Sequence, residues 1–282
     1  MYSQLITHLH RTAFIIAVDC STSMQEVIEF NKQRMRKADA VAIVCNYILD
    51  ELLERATRHS EVRNYYDIAV VGYSNDDIIP IIPEYADTLI SIDRLAEIAP
   101  KPERFVVEAR ESSTSTELIL RKWIEPRAAG RTPMLAALTY IYTLLDRWCS
   151  MPDNIDSFPP MVFNITDGEA TDATANELVT MAQRICKTGT SDGETLLINV
   201  HLGASTDGER VIFPSEQSFD YKSEYQLTLY RMSSIMPKTM EPLIEELTTA
   251  SGGAPYRGMA LNVTPSELFA ILNIGSESIY TA

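Results

Sequence analysis

The stretch Ala13-Phe14-Ile15-Ile16-Ala17-Val18, closed by Asp19-Cys20-Ser21-Thr22-Ser23, decides the fold. Six consecutive apolar residues read as a strand buried on both faces, the pattern of a parallel sheet covered by helices. An acid and two hydroxyls at alternate positions follow at once, so the strand ends in a polar turn. Outward from it, Val41, Val44, Ile48 and Leu52 repeat at three- and four-residue steps, which predicts a helix over about 37–58 with one apolar face. Residues 66–73 (YDIAVVGY) read as a second strand, 77–83 as a short edge strand broken by prolines, and 87–98 as a short helix.

Residues 100–125 are less regular. They hold a strand-like Phe105-Val106-Val107, a polar tract at 112–116 and Trp123, and read as an insertion. A helix is expected over 133–149, opened by Pro133 behind Thr132. A strand at 161–165, a helix at 173–187 and a strand at 195–202 follow. Beyond them come a short strand at 210–213, helical segments near 225–235 and 241–249, a Gly252-Gly253 stop and a strand near 256–263. The spacing of Thr264 and Glu267 is a capping box that starts a last helix. Alternating strands and helices predict an α/β fold: a doubly wound, mostly parallel central sheet flanked by helices on both faces, Rossmann-like in plan. No repeat or low-complexity linker divides the chain. One domain spanning 1–282 is expected, with insertions at about 100–125 and 203–238.

Acidic residues number 39 and basic ones 24, so the net charge of −15 disfavours binding to nucleic acid or to anionic lipid. Arg34, Arg36 and Lys37 form the one close basic cluster, the only candidate for a local exception. Apolar runs fall well short of the ~18 residues of a membrane helix. The first eleven residues lack the features of a secretory signal, and the four cysteines show no CxxC pairing. A cytoplasmic protein with its thiols in a reducing compartment is the expectation. No phosphate loop or dinucleotide fingerprint occurs. The near-match Gly72-Tyr73-Ser74-Asn75-Asp76 lacks the final glycine of a nucleophile elbow.

In a doubly wound sheet, ligands bind beyond the carboxyl ends of the strands. Three segments fall there: Asp19-Cys20-Ser21-Thr22-Ser23, then Ala129-Gly130-Arg131-Thr132-Pro133, then Thr166-Asp167-Gly168. Asp19, Ser21 and Ser23 offer hard oxygens only, which suit magnesium, manganese or calcium better than zinc or copper. Plain turn chemistry is the competing reading, because Asp, Ser and Thr favour helix starts anyway. A second Thr-Asp-Gly, at 206–208, reads as a hairpin turn. Alternation aims Cys20 away from the oxygens toward the core, and His201 reads as a core residue. His8 and His10 could share a face near the N-terminus, which reads as a mobile end.

The set Asp19-x-Ser21-x-Ser23, Thr132 and Asp167-Gly168, in that order, resembles the metal-ion-dependent adhesion site of von Willebrand factor type A domains. Thr132 stands 109 positions after Ser23, and Asp167 a further 35 on, enough for one helix and one strand. The resemblance implies direct ligation of Mg2+, with Mn2+ or Ca2+ as substitutes, by Ser21, Ser23 and Thr132. It implies that Asp19 and Asp167 act through water or through the hydroxyls, and that a protein partner supplies an Asp or Glu as the last ligand. Intracellular members of the family, often bacterial, look like adaptors beside ATPases, kinases or phosphatases. The other function class weighed is a metal-dependent phosphoryl or ester hydrolase using Asp19 and Asp167. A haloacid-dehalogenase-type phosphatase would need a second acid where Ser21 stands, and no general base is evident, so an interaction module without enzymatic activity is expected.

Overall fold

The computed structural model describes residues 2–30, 33–75, 77–80, 85–108, 115–203, 208–216, 220–248 and 253–277. Eight strands join one sheet: β1 (Thr12–Asp19), β2 (Tyr66–Ser74), β3 (Asp77–Pro80), β4 (Ile90–Ser91), β5 (Met161–Thr166), β6 (Leu196–Leu202), β7 (Val211–Ile212) and β8 (Met259–Val263). Their spatial order is β7-β8-β6-β5-β1-β2-β3, with β4 also pairing β2. The inner five strands are parallel, and β3, β4 and β7 are antiparallel margins. Every residue of β1 is buried, as its unbroken apolar run requires of the central strand.

Alternation along β1 divides the core. Phe14, Ile16 and Val18 face a cluster built with α1 (Lys37–Ala56), α2 (Ile92–Glu97), α6 (Glu241–Leu247) and α7 (Pro265–Glu277). Ile15 and Ala17 face the opposite cluster, built with α3 (Met134–Cys149), α4 (Ala175–Lys187) and α5 (Glu224–Met232). Period-two side chains thus give the sheet two helical layers, the doubly wound arrangement. From β1 the chain passes through α1 to β2 on one side, and later lays β5 on the other. The strand order therefore reverses at β1, which opens a crevice at the carboxyl ends of β1 and β5.

Several local expectations change. Val27–Phe30 and Gln33–Arg36 pair as the antiparallel arms of a hairpin, Val27 against Arg36, where a simple polar turn was expected. Within the irregular 100–125 region the described residues form a second antiparallel hairpin, Pro102–Glu108 against Ser115–Arg121. Its exit is held by two α1 side chains one turn apart. Asp50 accepts from the backbone and guanidinium of Arg121 (2.8 Å each), and Asn46 accepts from the Trp123 and Ile124 N–H groups (2.9 Å each). Pro133 caps α3 where the sequence had put it inside the helix, and Asp172 satisfies the Leu135 and Ala136 N–H groups at 3.1 and 3.0 Å. The Thr264–Glu267 box forms as expected, with Thr264 N–H donating to Glu267 at 2.8 Å. Residues 81–83 of the expected edge strand, Gly252, and most of the second Thr-Asp-Gly lie outside the described residues.

The strands also conceal a polar chain. Tyr73 donates to Asn164 (3.0 Å), Asn164 to Asn199 (2.9 Å), and Asn199 to Ser233 (3.0 Å). Tyr73 and Asn164 belong to the two neighbours of β1, and Asn164 pairs in register with Ala17. A methyl group between them leaves room for the phenol to cross β1. Each polar atom is matched, which a low-dielectric layer demands.

Candidate functional site

Asp19, the last residue of β1, is fully buried at the crevice. One carboxylate oxygen accepts from the Ser21 N–H at 2.8 Å, the other from the Thr166 hydroxyl at 3.0 Å. Among the described residues no lysine or arginine pairs with it. Burial pushes its carboxyl up to about 6, the donors of Ser21 and Thr166 pull against that rise, and the neighbouring Asp167 charge adds to it.

The turn Thr22–Gln25 is one short 3-10 segment whose entry is fixed by Ser21. Ser21 Oγ and Ser23 Oγ lie 2.9 Å apart, and Ser23 donates to Asp167 at 2.6 Å. Two cis ligands at 2.0–2.1 Å from an octahedral magnesium stand about 2.9 Å apart, so the two serine oxygens match one edge of such a shell. Asp167 comes from the loop after β5, where Thr166 Oγ1 also accepts from the Gly168 N–H at 3.2 Å and steadies the turn.

Thr132 reaches the crevice by a third route. The segment beyond the Trp123 anchor runs along the β1 turn, with Ala129 N–H donating to the Cys20 carbonyl (2.8 Å) and Gly130 N–H to Thr22 Oγ1 (2.9 Å). Gly130 has φ +82°, and a Cβ there would fall 1.9 Å from the Asn75 side chain, so glycine is required at this crossing. Thr132 N–H then donates to Thr171 Oγ1 (3.1 Å), and Thr171 N–H returns to the Thr132 carbonyl (2.9 Å). The three loops are thereby laced together. Hydrogen bonds connect Ser21, Ser23 and Asp167 directly and join Asp19 to Ser21. Thr132, itself buried, is tied in through its backbone, and no hydrogen bond joins its hydroxyl to the other four.

The sequence did not reveal two further groups. Lys37, taken there as part of a basic surface cluster, is buried: its ammonium lies 2.5 Å from Glu26 and 3.3 Å from Asp167. The hairpin explains this, because pairing Val27 with Arg36 sets Glu26 beside Lys37, whose N–H donates to the Glu26 carbonyl at 2.8 Å. Tyr225 on α5 holds its hydroxyl buried with no hydrogen-bond partner among the described residues. Burial, with Asp19, Asp167 and Glu169 adding their charges, pushes this phenol far above its ordinary range, so it stays a donor. It lines a cavity of about 230 Å3 with Met134, Glu169, Leu178, Glu224 and Met232. Spacing along a chain carries no signal for either residue, since both arrive from other elements.

Cys20 points into the layer against α1, with its sulfur 3.1 Å from where a Cβ on Gly72 would be, away from the oxygens as alternation implied. His201 is half-buried, accepts from the Asn262 N–H at 3.3 Å and meets the Tyr225 ring edge-on. Among the described residues no group of three or more His, Cys, Asp or Glu side chains gathers around a common point. A cation in this crevice would depend on hydroxyls. Among the described residues no helix is long and apolar enough to cross a membrane.

No protein-family model matches the sequence, and no curated protein matches it significantly. Solved structures do resemble it. A von Willebrand factor type A protein from Catenulispora acidiphila aligns over 96% of this chain and 43% of its own, at 15% identity and a TM-score of 0.50. The SpRpn10 VWA domain aligns over 79% and 83%, at 9% identity and a TM-score of 0.43. The PilB minor pilin from Streptococcus sanguinis aligns over 95% and 61%, at 10% identity and a TM-score of 0.44. The chain spans less than half the length of the Catenulispora protein. Strand order, helical layers and the first of these alignments agree: the polypeptide adopts the α/β fold of a von Willebrand factor type A domain.

Proposed function

We propose that the chain is a divalent-metal-dependent protein-recognition module, with Mg2+ held in the crevice and a partner's Asp or Glu completing the metal's shell. The observation that carries this reading is the 2.9 Å separation of the Ser21 and Ser23 hydroxyl oxygens, with Asp167 2.6 Å from the second. Bound there, the ion supplies a positive charge that attracts an incoming carboxylate. Ser21, Ser23 and Thr132 are its proposed direct ligands. Asp19 holds the Ser21 turn through the backbone N–H, and Asp167 orients the Ser23 hydroxyl. Neutral hydroxyl ligands leave more of the ion's charge for the partner than carboxylates would. A chain of net charge −15 repels an acidic partner at a distance, so a cation at the contact sets the specificity.

Both oxygens of Asp19 accept internal hydrogen bonds, which leaves it poorly placed as a nucleophile and weighs against the hydrolase alternative. The proposal extends to a cytoplasmic adaptor role, a setting that suits four unpaired thiols, Cys20, Cys45, Cys149 and Cys186. An ATPase, kinase or phosphatase partner belongs to the same proposal.

The test is a thermal melt with and without MgCl2, followed by partner capture in magnesium and in chelator. Magnesium should raise Tm of the wild type, since an ion bound only by the folded state stabilises it. Asp19→Ala and Thr132→Ala should abolish both that rise and the chelator-sensitive capture while remaining folded. Equal capture by wild type and variants under both conditions refutes the proposal.

A further inference from the structure

Lys37 is an unexpected residue for its position. It is the first residue of α1, where the helix dipole disfavours a cation, and its side chain is only 4% exposed. Such an ammonium persists only if carboxylates surround it. Two do, and they differ. Glu26 lies 2.5 Å away and is half exposed, whereas Asp167 lies 3.3 Å away and is fully enclosed. The other oxygen of Asp167 is the one that accepts from Ser23. One carboxylate of the proposed metal site is therefore shared with a cation the chain itself provides.

We propose that Lys37 is an internal cation that competes with a divalent ion for Asp167, and that Glu26 is the retreat onto which the ammonium is drawn when the ion enters. This rests on the metal-dependent reading above and deepens it. The occupants carry like charge and lie within a few ångströms of one carboxylate, so the ammonium weakens the ion's hold. An ion held weakly by the chain alone is held firmly once a partner's acid adds its negative charge. Metal and partner then bind cooperatively, each raising the affinity of the other.

Titration calorimetry of the full chain with MgCl2 tests the idea. Lys37→Met, which keeps an unbranched apolar stem one atom shorter and removes the charge, should tighten magnesium binding by about tenfold or more. Glu26→Gln should weaken it several-fold by leaving the ammonium on Asp167. In the Lys37→Met background Glu26→Gln should change nothing further, because Glu26 acts through Lys37. A merely structural role predicts weaker binding in both single variants, and melts in chelator check that each is folded. Should Lys37→Met fail to fold, the half-exposed Glu26 variant still decides, since unchanged or tighter binding there overturns the proposal. Magnesium heat in the wild type that is unaltered or smaller in Lys37→Met defeats the competition while leaving the metal reading standing. Absence of heat in both defeats the metal reading, and the competition with it.

Discussion

Two aspartates, Asp19 and Asp67, sit on adjacent strands at opposite ends of the sheet, and both are buried. Asp67, at the start of β2, accepts from the Trp148 indole at 2.8 Å and pairs with Arg11 at 3.0 Å. Asp19, at the end of β1, accepts from the Ser21 amide and the Thr166 hydroxyl. Burial raises the carboxyls of both. At Asp67 the arginine answers the charge and the indole closes the pocket, so the group is complete and structural. At Asp19 dipoles orient the carboxylate, and among the described residues no cation neutralises it. Burial thus yields a finished ion pair at one end and an unbalanced charge at the other. The unbalanced end is the one facing the crevice.

The comparison is sharpest where one partner is deleted. Asp67→Ala leaves the Arg11 charge without its carboxylate and the Trp148 N–H without its acceptor, and should cost about 3 kcal/mol in urea denaturation. It should leave any magnesium-induced rise in Tm intact, because the two ends are about 20 Å apart along the strands.

Asp19→Asn should act in the opposite direction, stabilising the chain by about 2 kcal/mol at pH 7. Its folded carboxyl titrates near 6, above the value of about 4 in an unfolded chain. The wild-type group is therefore neutral and unpenalised below about pH 4, and stability is lost as the pH rises through 6. The advantage of the asparagine should appear across that window and vanish below it. A variant no more stable than wild type at pH 7 would mean that the charge is already balanced, and the contrast with Asp67 would collapse.

Asp172 is a third kind, an acid met by the first turn of α3 instead of by an arginine. Asp172→Ala should cost about 1 kcal/mol, the smallest of the three, read by the same denaturation. A loss as large as that at Asp67 would show that helix dipoles can replace a full counter-ion here.

Period and punctuation made the fold legible. The unbroken 13–18 run told of a parallel strand buried on both faces, the 41–52 pattern of a helix with one buried face, and the Thr264–Glu267 spacing of a capped start. Asp19, Ser21, Ser23 and Asp167 were legible because turn residues at strand ends must meet when strands are neighbours. Lys37 was misread as surface, because its burial depends on a hairpin with no strong apolar alternation. Asn164 and Asn199 were hidden inside segments read as strands, since one polar residue in a strand hardly alters its pattern. Asn46 and Asp50, polar residues within α1, lie buried against the exit of the second hairpin, a contact that the helical period alone does not foretell. Contacts made by matching hydrogen bonds across long separations leave little periodic trace in a sequence.

The second hairpin leaves the body and returns at one place, with Pro102 paired to Arg121 and the next residues fastened to α1 by Asn46 and Asp50. The two paired strands distal to that clasp are topologically a side branch. Closing the gap directly requires only a tight link between residues already adjacent. The arm is accordingly a natural place for length variation or for grafting a reporter, with the segment leading to Thr132 held in position by the clasp.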